Sequence, residues 1–233
     1  MPVVLMAVVV GAALSVPGAQ MQTILNNPLA SPFTLGISAA ASFGAALALA
    51  FGVVLIPTAI EYVVPVNAFV MAMLAALLIH MLSVRRGVTV ETVVLLGIAL
   101  VFTFNALLSL VQFLASAEAL AALVFWTMGS LTKATWPKLA IATLALMAVL
   151  PIFAQRAWAL TALRLGEDEA ASFGVKVARL RLETLMMVSL LAAISVAFVG
   201  TIRFVGLVGP HIARTIIGED QRFSSRPPPC RAR

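Results

Sequence analysis

Long apolar runs with no charge among them recur along the chain. Met1 to Ile60 contains no Asp, Glu, Lys or Arg, and further uncharged windows cover Tyr62–Val84, Thr92–Ala117, Leu139–Gln155 and Thr184–Ile202. A helix needs ~20 apolar residues to cross ~30 Å of hydrocarbon. The pattern therefore predicts crossings at Val3–Gln22, Phe33–Ile56, Val66–Val84, Thr92–Ser116, Trp136–Gln155 and Thr184–Ile202, with another beginning over Phe204–Ile217. Asn26–Pro32 carries two prolines and an Asn pair, which cannot continue a helix, and reads as a tight turn. Ala117–Thr135 is too short for a crossing and reads as an outer-side helix ending near Trp126–Leu131. Runs such as Met71–Ile79 and Leu139–Val149 are apolar on every face, where a transmembrane barrel would alternate. The expected fold class is all-α, a polytopic transmembrane helical bundle of about seven spans.

Composition agrees. Of 233 residues, 62% are hydrophobic and 10% charged, with a mean hydropathy of +1.10. Soluble domains average roughly 45–50% apolar and about 25% charged residues, so that class is excluded, as are disordered chains and, with Cys230 alone, disulfide scaffolds. The small residues Gly36, Ser38, Ala39–Ala41, Ser42 and Gly44–Ala46 would let the second span pack closely against its neighbours and place it centrally. Met1–Leu5 has no basic region ahead of its apolar run and reads as part of a first span, not a signal peptide.

The formal charge of +6 does not require nucleic acid. Arg85 and Arg86 fall in one expected loop, and Arg156, Arg164, Lys176, Arg179 and Arg181 in another, while Pro57–Pro65 has no Lys or Arg. The positive-inside rule makes both basic loops, and Asn26–Pro32, cytoplasmic. Pro57–Pro65 and Trp126–Trp136 are then external, and the protein is expected to cross a membrane several times, in contact with lipid.

No catalytic chemistry is signalled. There is no Gly-x-x-x-x-Gly-Lys phosphate loop, no His-Glu-x-x-His and no Cys pair, so any ATP hydrolysis belongs to a separate chain, and neither metal nor cofactor is expected. For His80, a packing role is favoured over proton relay. For His211, a structural role at a helix start is favoured over metal ligation. Asn105, Ser109 and Gln112 share one helical face, and lining of a solute path and interhelical hydrogen bonding fit equally well. In the 156–181 loop, Leu165-Gly166-Glu167-Asp168-Glu169-Ala170-Ala171-Ser172-Phe173-Gly174 sets apolar Leu165, Ala170 and Phe173 beside three acids. Two glycines bracket this stretch, which suits a compact knob docking into a partner's groove.

Several separate blocks resemble the FecCD-type permeases, the membrane subunits of ABC importers for ferric siderophores, haem and cobalamin. They are Gly18–Gln22 with Asn26–Ser38 (including Asn27, Pro28, Leu29, Ala30 and Gly36), Trp126 with Met128–Leu131 around Gly129, Leu165–Val175, and Phe204–Arg214 with Gly206, Pro210 and His211. They occur in the family's order and extend from about Val4 to Arg222. The resemblance implies a homodimer or heterodimer of permeases, cytoplasmic ATPase subunits and an external solute-binding protein. It implies that the Leu165–Gly174 knob couples to the ATPase, and that Asn105, Ser109 and Gln112 lie on a span lining the pathway.

With ~20 apolar residues per crossing, about seven spans are supplied where the family has about ten. Residues 1–222 are read as a partial permease domain and 223–233, rich in Arg and Pro, as an atypical tail with the look of a frame-shifted reading. A non-functional fragment is therefore one alternative. An ion-coupled secondary transporter is another, disfavoured because Asp and Glu are absent from the span interiors.

Overall fold

A computed structural model describes residues 1–86, 89–202 and 204–217; the tail, Cys230 and the Arg203 and Arg214 side chains lie outside the described set. Among the described residues the chain is helical with no strands, in the order α1 (Pro2–Ile24), α2 (Ile37–Phe51), α3 (Val63–Arg86), α4 (Val90–Leu114), α5 (Ala117–Thr127), α6 (Trp136–Leu163), α7 (Glu167–Ser172), α8 (Val177–Val199) and α9 (Val205–Ile217). Five of these, α1, α3, α4, α6 and α8, are long and apolar enough to cross a membrane, while α2 and α5 are shorter apolar helices.

Helix α8 is the axis of the bundle, packing against α1, α2, α3 and α6. Over its most apolar stretch 61% of the residues are buried, against 17% for α4, the most exposed of the five. In lipid, helices associate through close packing and interhelical polar contacts, so small residues mark the contacts. Ala192, Ala193 and Ala197 of α8 and Ala68, Ala72, Ala75 and Ala76 of α3 are buried accordingly. Pro17 and Pro151 lie inside α1 and α6, positions that membrane helices tolerate when neighbours cover the freed backbone.

The second expected crossing differs from expectation. Phe33–Ile56 is not one helix: Pro32–Leu35 forms a 3-10 turn, Gly36 adopts φ 75°, and α2 runs for only 15 residues before Gly52 ends it. The turn is held by the Thr34 hydroxyl, which donates to the Ser31 carbonyl (2.7 Å) and accepts from the Ser31 N–H (3.4 Å). It penetrates the bundle. A Cβ on Gly97 would sit 2.7 Å from the Thr34 carbonyl oxygen, and Gly97 is seven residues into α4, or ~10 Å from its start. Non-helical backbone is tolerated at that depth only where protein covers it, and Ala30, Ser31, Pro32 and Leu35 are buried. Asn26–Pro32 is thus not merely a tight turn: Asn26–Leu29 is the exposed start of a re-entrant segment that is buried over Ala30–Pro32. The expectation that the second span is central holds in part, since nine of the 15 α2 residues are buried.

The loop following α2 is fastened by a residue of α3. Asn67, fully buried, accepts from the Leu55 N–H (3.1 Å) and donates to the Val53 carbonyl (2.6 Å). Backbone that has left a helix near the membrane thereby keeps its hydrogen bonds.

The expected 156–181 loop is shorter than read. Helix α6 continues to Leu163 and α8 begins at Val177, so Arg156, Arg179 and Arg181 are helical and only 164–176 connects them, with α7 inside. The reason is electrostatic pairing. Glu183 of α8 forms ion pairs with Arg156 of α6 and with Arg179 one turn before it (2.8 Å), so these charges lie along packed helices.

Candidate functional site

Two ends of α8 carry the polar chemistry. At its N-terminal end, Arg181 is 1% exposed. Its Nε donates to the Ile24 carbonyl at the end of α1 (3.2 Å), and its Nη2 donates to Glu167 Oε1 on α7 (2.5 Å). One guanidinium therefore ties together α1, α7 and α8. The geometry suits arginine because its planar fork offers several donors in fixed directions, and a buried cation needs such partners. The α1 C-terminus is the negative end of a helix dipole, which adds to the attraction.

The knob hangs from this tie. Gly166, at φ 135°, begins α7, and Glu167, Asp168 and Glu169 occupy the first turn, where the exposed amides favour acids. Ala170 is fully buried and fixes the helix to the bundle, while Leu165 is 68% and Phe173 55% exposed. The Phe173 ring meets Trp158 of α6 edge-on, centroids 6.3 Å apart, and Trp158 is itself 65% exposed. Gly174 has φ 81° and turns the chain towards α8. Leu165, Phe173 and Trp158 thus form an apolar rim beside three acids.

The other sequence candidates are distributed elsewhere. Asn105 and Ser109 lie exposed on α4 and Gln112 is half-buried, and none makes a side-chain hydrogen bond among the described residues. Asn27 accepts from the Leu29 N–H (2.9 Å) across Pro28, leaving Leu29 exposed and Ala30 buried. Gly206 and buried Pro210 are on α9. A Cβ on Gly18 of α1 would overlap the Gly206 carbonyl, so these backbones touch directly. His211 is exposed at mid-α9 and not at the helix start that its sequence setting suggests. His80 Nδ1 is buried without a partner. No group of three or more His, Cys, Asp or Glu is placed to hold a metal among the described residues.

At the C-terminal end of α8, Gly129 (φ 73°) and Gly200 (φ 78°) interlock. The Ser130 N–H donates to the Val199 carbonyl (2.7 Å) and the Thr201 hydroxyl donates to the Thr127 carbonyl. A Cβ on Gly200 would collide with the Trp126 carbonyl. Gly200 was not singled out from sequence, although a glycine closing an apolar run is the available signal. Nor were Trp158, Asn67, Lys138 or the inward orientation of Arg181.

The comparisons with known proteins concern this whole arrangement. A family model described as the FecCD transport family matches residues 1–225. A Methanocaldococcus jannaschii protein assigned as an ABC transporter permease is 41% identical over 96% of this chain and 66% of its own length. The hemin transport system permease of Yersinia pestis is 34% identical over 96% of this chain and 67% of its own. A solved structure of an ABC transporter assigned to the metal-chelate type, in an inward-facing conformation, superposes with a TM-score of 0.83 at 32% identity, covering 94% of this chain and 69% of that one. Other relatives are named for iron chelatin, molybdate and vitamin B12 transport. The chain spans about two thirds of the length of the curated relatives it matches. With the family matched along most of its length and several apolar helices in one bundle, this multi-pass inner-membrane protein belongs to the FecCD transport family.

Proposed function

We propose that the chain acts as the membrane-spanning permease of an ATP-driven importer for an iron chelate or a related compound such as haem or cobalamin. The observation that carries this reading is the α7 knob: an exposed apolar and acidic surface at the cytoplasmic end, joined through buried Arg181 to the ends of α1 and α8. A surface needed only to connect two helices would not expose Leu165, Trp158 and Phe173 together. A cytoplasmic ATPase subunit docking there would move the knob, and the Arg181 tie would pass that motion to the helices it joins. Two packings of the bundle, each favoured by a different ATPase state, would open the pathway to opposite sides in turn.

A second permease copy would meet the sparsely buried face of α4, with Asn105, Ser109 and Gln112 lining the path between copies, and an external solute-binding protein would deliver the cargo. The named relatives carry several kinds of cargo, and iron chelates are the class we assign. Residues 1–222 then form the permease domain, with the motif glycines, Asn27, Pro28, Leu29, Ala30, Pro210 and His211 in structural roles.

The test is co-purification of the ATPase with permease variants. Phe173→Ala removes an exposed ring and Glu167→Lys reverses the charge beside Arg181. Both should insert normally and retain less ATPase. Undiminished ATPase recovery with both variants would remove the knob as the docking surface.

A further inference from the structure

Beneath the interlocked glycines, this end of the bundle holds a half-open cavity of about 770 Å³. Its walls combine the apolar Val64, Phe125 and Phe198 with Lys133, Lys138 and Glu61. Lys138, in the first turn of α6, is 9% exposed, yet it makes no ion pair among the described residues. Its ammonium has one long hydrogen bond, to the Lys133 carbonyl (3.5 Å), and lies 5.8 Å from the centroid of the Tyr62 ring. A buried ammonium costs several kcal/mol unless an anion or several acceptors compensate it. Glu61 shares the cavity but forms no ion pair with either lysine among the described residues, so neither ammonium has a carboxylate partner there.

The cavity's depth bears on what it holds. Helix α8 has 23 residues, or ~35 Å of rise, between the knob and the cavity wall at Ala197–Gly200. With the knob at the cytoplasmic surface, a hydrocarbon core of ~30 Å puts the cavity at the level of the outer headgroups. Tyr62 and Trp126 beside it are residue types that favour that level.

We infer that this cavity binds a phosphate-bearing anion, with Lys138 as the principal ligand, Lys133 as the second, and the apolar walls receiving the part of the molecule attached to the phosphate. The phosphate comes either from an outer-leaflet phospholipid or free from the external medium, and the walls favour the lipid. The site is independent of which solute the permease moves.

Native mass spectrometry of the full chain in detergent tests this, with phosphatidylglycerol, diacylglycerol lacking the phosphate, and inorganic phosphate as probes. The wild type should retain phosphatidylglycerol and not diacylglycerol. Lys138→Gln should weaken retention about tenfold, as expected for losing a charge-assisted contact. Lys138→Arg should restore most of it. Lys133 is exposed, so Lys133→Gln folds regardless and should weaken retention about threefold. Displacement of the lipid by millimolar inorganic phosphate identifies a free anion as the natural occupant, and lipid that resists displacement identifies the headgroup. Equal retention of diacylglycerol and phosphatidylglycerol, or unchanged retention in both lysine-to-glutamine variants, overturns the site.

Discussion

The two ends of α8 hold charge and backbone by opposite means. At the N-terminal end a long side chain does the joining: Arg181 reaches a carbonyl 157 residues away in sequence and a carboxylate on a six-residue helix. At the C-terminal end absent side chains do it, with Gly129 and Gly200 letting two backbones approach until Ser130 and Thr201 bond across the gap. A guanidinium tie can pivot about its donors while the helices shift, because its hydrogen bonds tolerate small rotations. Backbone in contact with backbone cannot slide without collision. The N-terminal end is therefore suited to transmitting displacement, and the C-terminal end to resisting it.

Removing the arginine is the harshest way to break that contrast. Arg181→Ala leaves the Ile24 carbonyl unsatisfied and opens a buried void, and losing one member of a buried polar cluster costs about 3–5 kcal/mol. Part of Glu167 is in water, which places the expected loss at the low end of that range. Thermal unfolding in detergent should show a lowered midpoint, and ATPase recovery should fall with it. Arg181→Lys should recover part of the stability but less of the recovery, since one ammonium cannot serve both partners in the fork geometry.

Gly200→Ala attacks the other end. Gly200 has φ 78° and ψ −166°, a region essentially reserved for glycine, and the new methyl would collide with the Trp126 carbonyl. The expected cost is about 2–3 kcal/mol in the same unfolding assay. ATPase recovery, normalised to folded protein, should not change, because the knob lies a helix length away. A parallel fall in both would mean the ends are not independent and would remove the contrast.

Phe173→Ala sharpens the comparison from within the cytoplasmic end, since it separates tying from docking. Phe173 is 55% exposed and touches Trp158 edge-on, so stability should move by no more than about 1 kcal/mol. ATPase affinity should drop about tenfold if the ring enters the partner's groove.

How much of this was legible beforehand depends on the range over which each interaction acts. Helices α1, α3 and α4 were found within a few residues, because an absence of charge over ~20 positions is a local property of the chain. The knob was also readable, since Gly166, the three acids and Phe173 are consecutive. The break at Pro32–Gly36 was missed as a membrane-depth feature. An apolar count through Phe33–Ile56 cannot show that Thr34 and Ser31 bond each other and that α4 covers the turn. Arg181 was counted as a loop charge because the partners that bury it, Ile24 and Glu167, are distant in sequence and in different elements. Hydrophobic counting treats any arginine as a span boundary, whereas here the charge is neutralised inside the bundle. The exposed positions of Asn105 and Ser109 depend likewise on what packs against α4, which its own sequence does not encode.

The smallest expected effect tests whether the outer end is locked by shape or by hydrogen bonding. Thr201→Val keeps the side-chain volume and removes only the hydroxyl that donates to the Thr127 carbonyl. One net hydrogen bond is worth about 1 kcal/mol, and the orphaned carbonyl adds to that only if water cannot reach it. Thr127 is half-buried, so the loss should stay near 1 kcal/mol and below that of Gly200→Ala. If Thr201→Val instead matches Gly200→Ala in thermal midpoint, hydrogen bonding and not backbone contact holds this end. The outer junction would then resemble the Arg181 tie in kind, and its rigidity would have to be attributed to the number of its bonds and not to the absence of side chains.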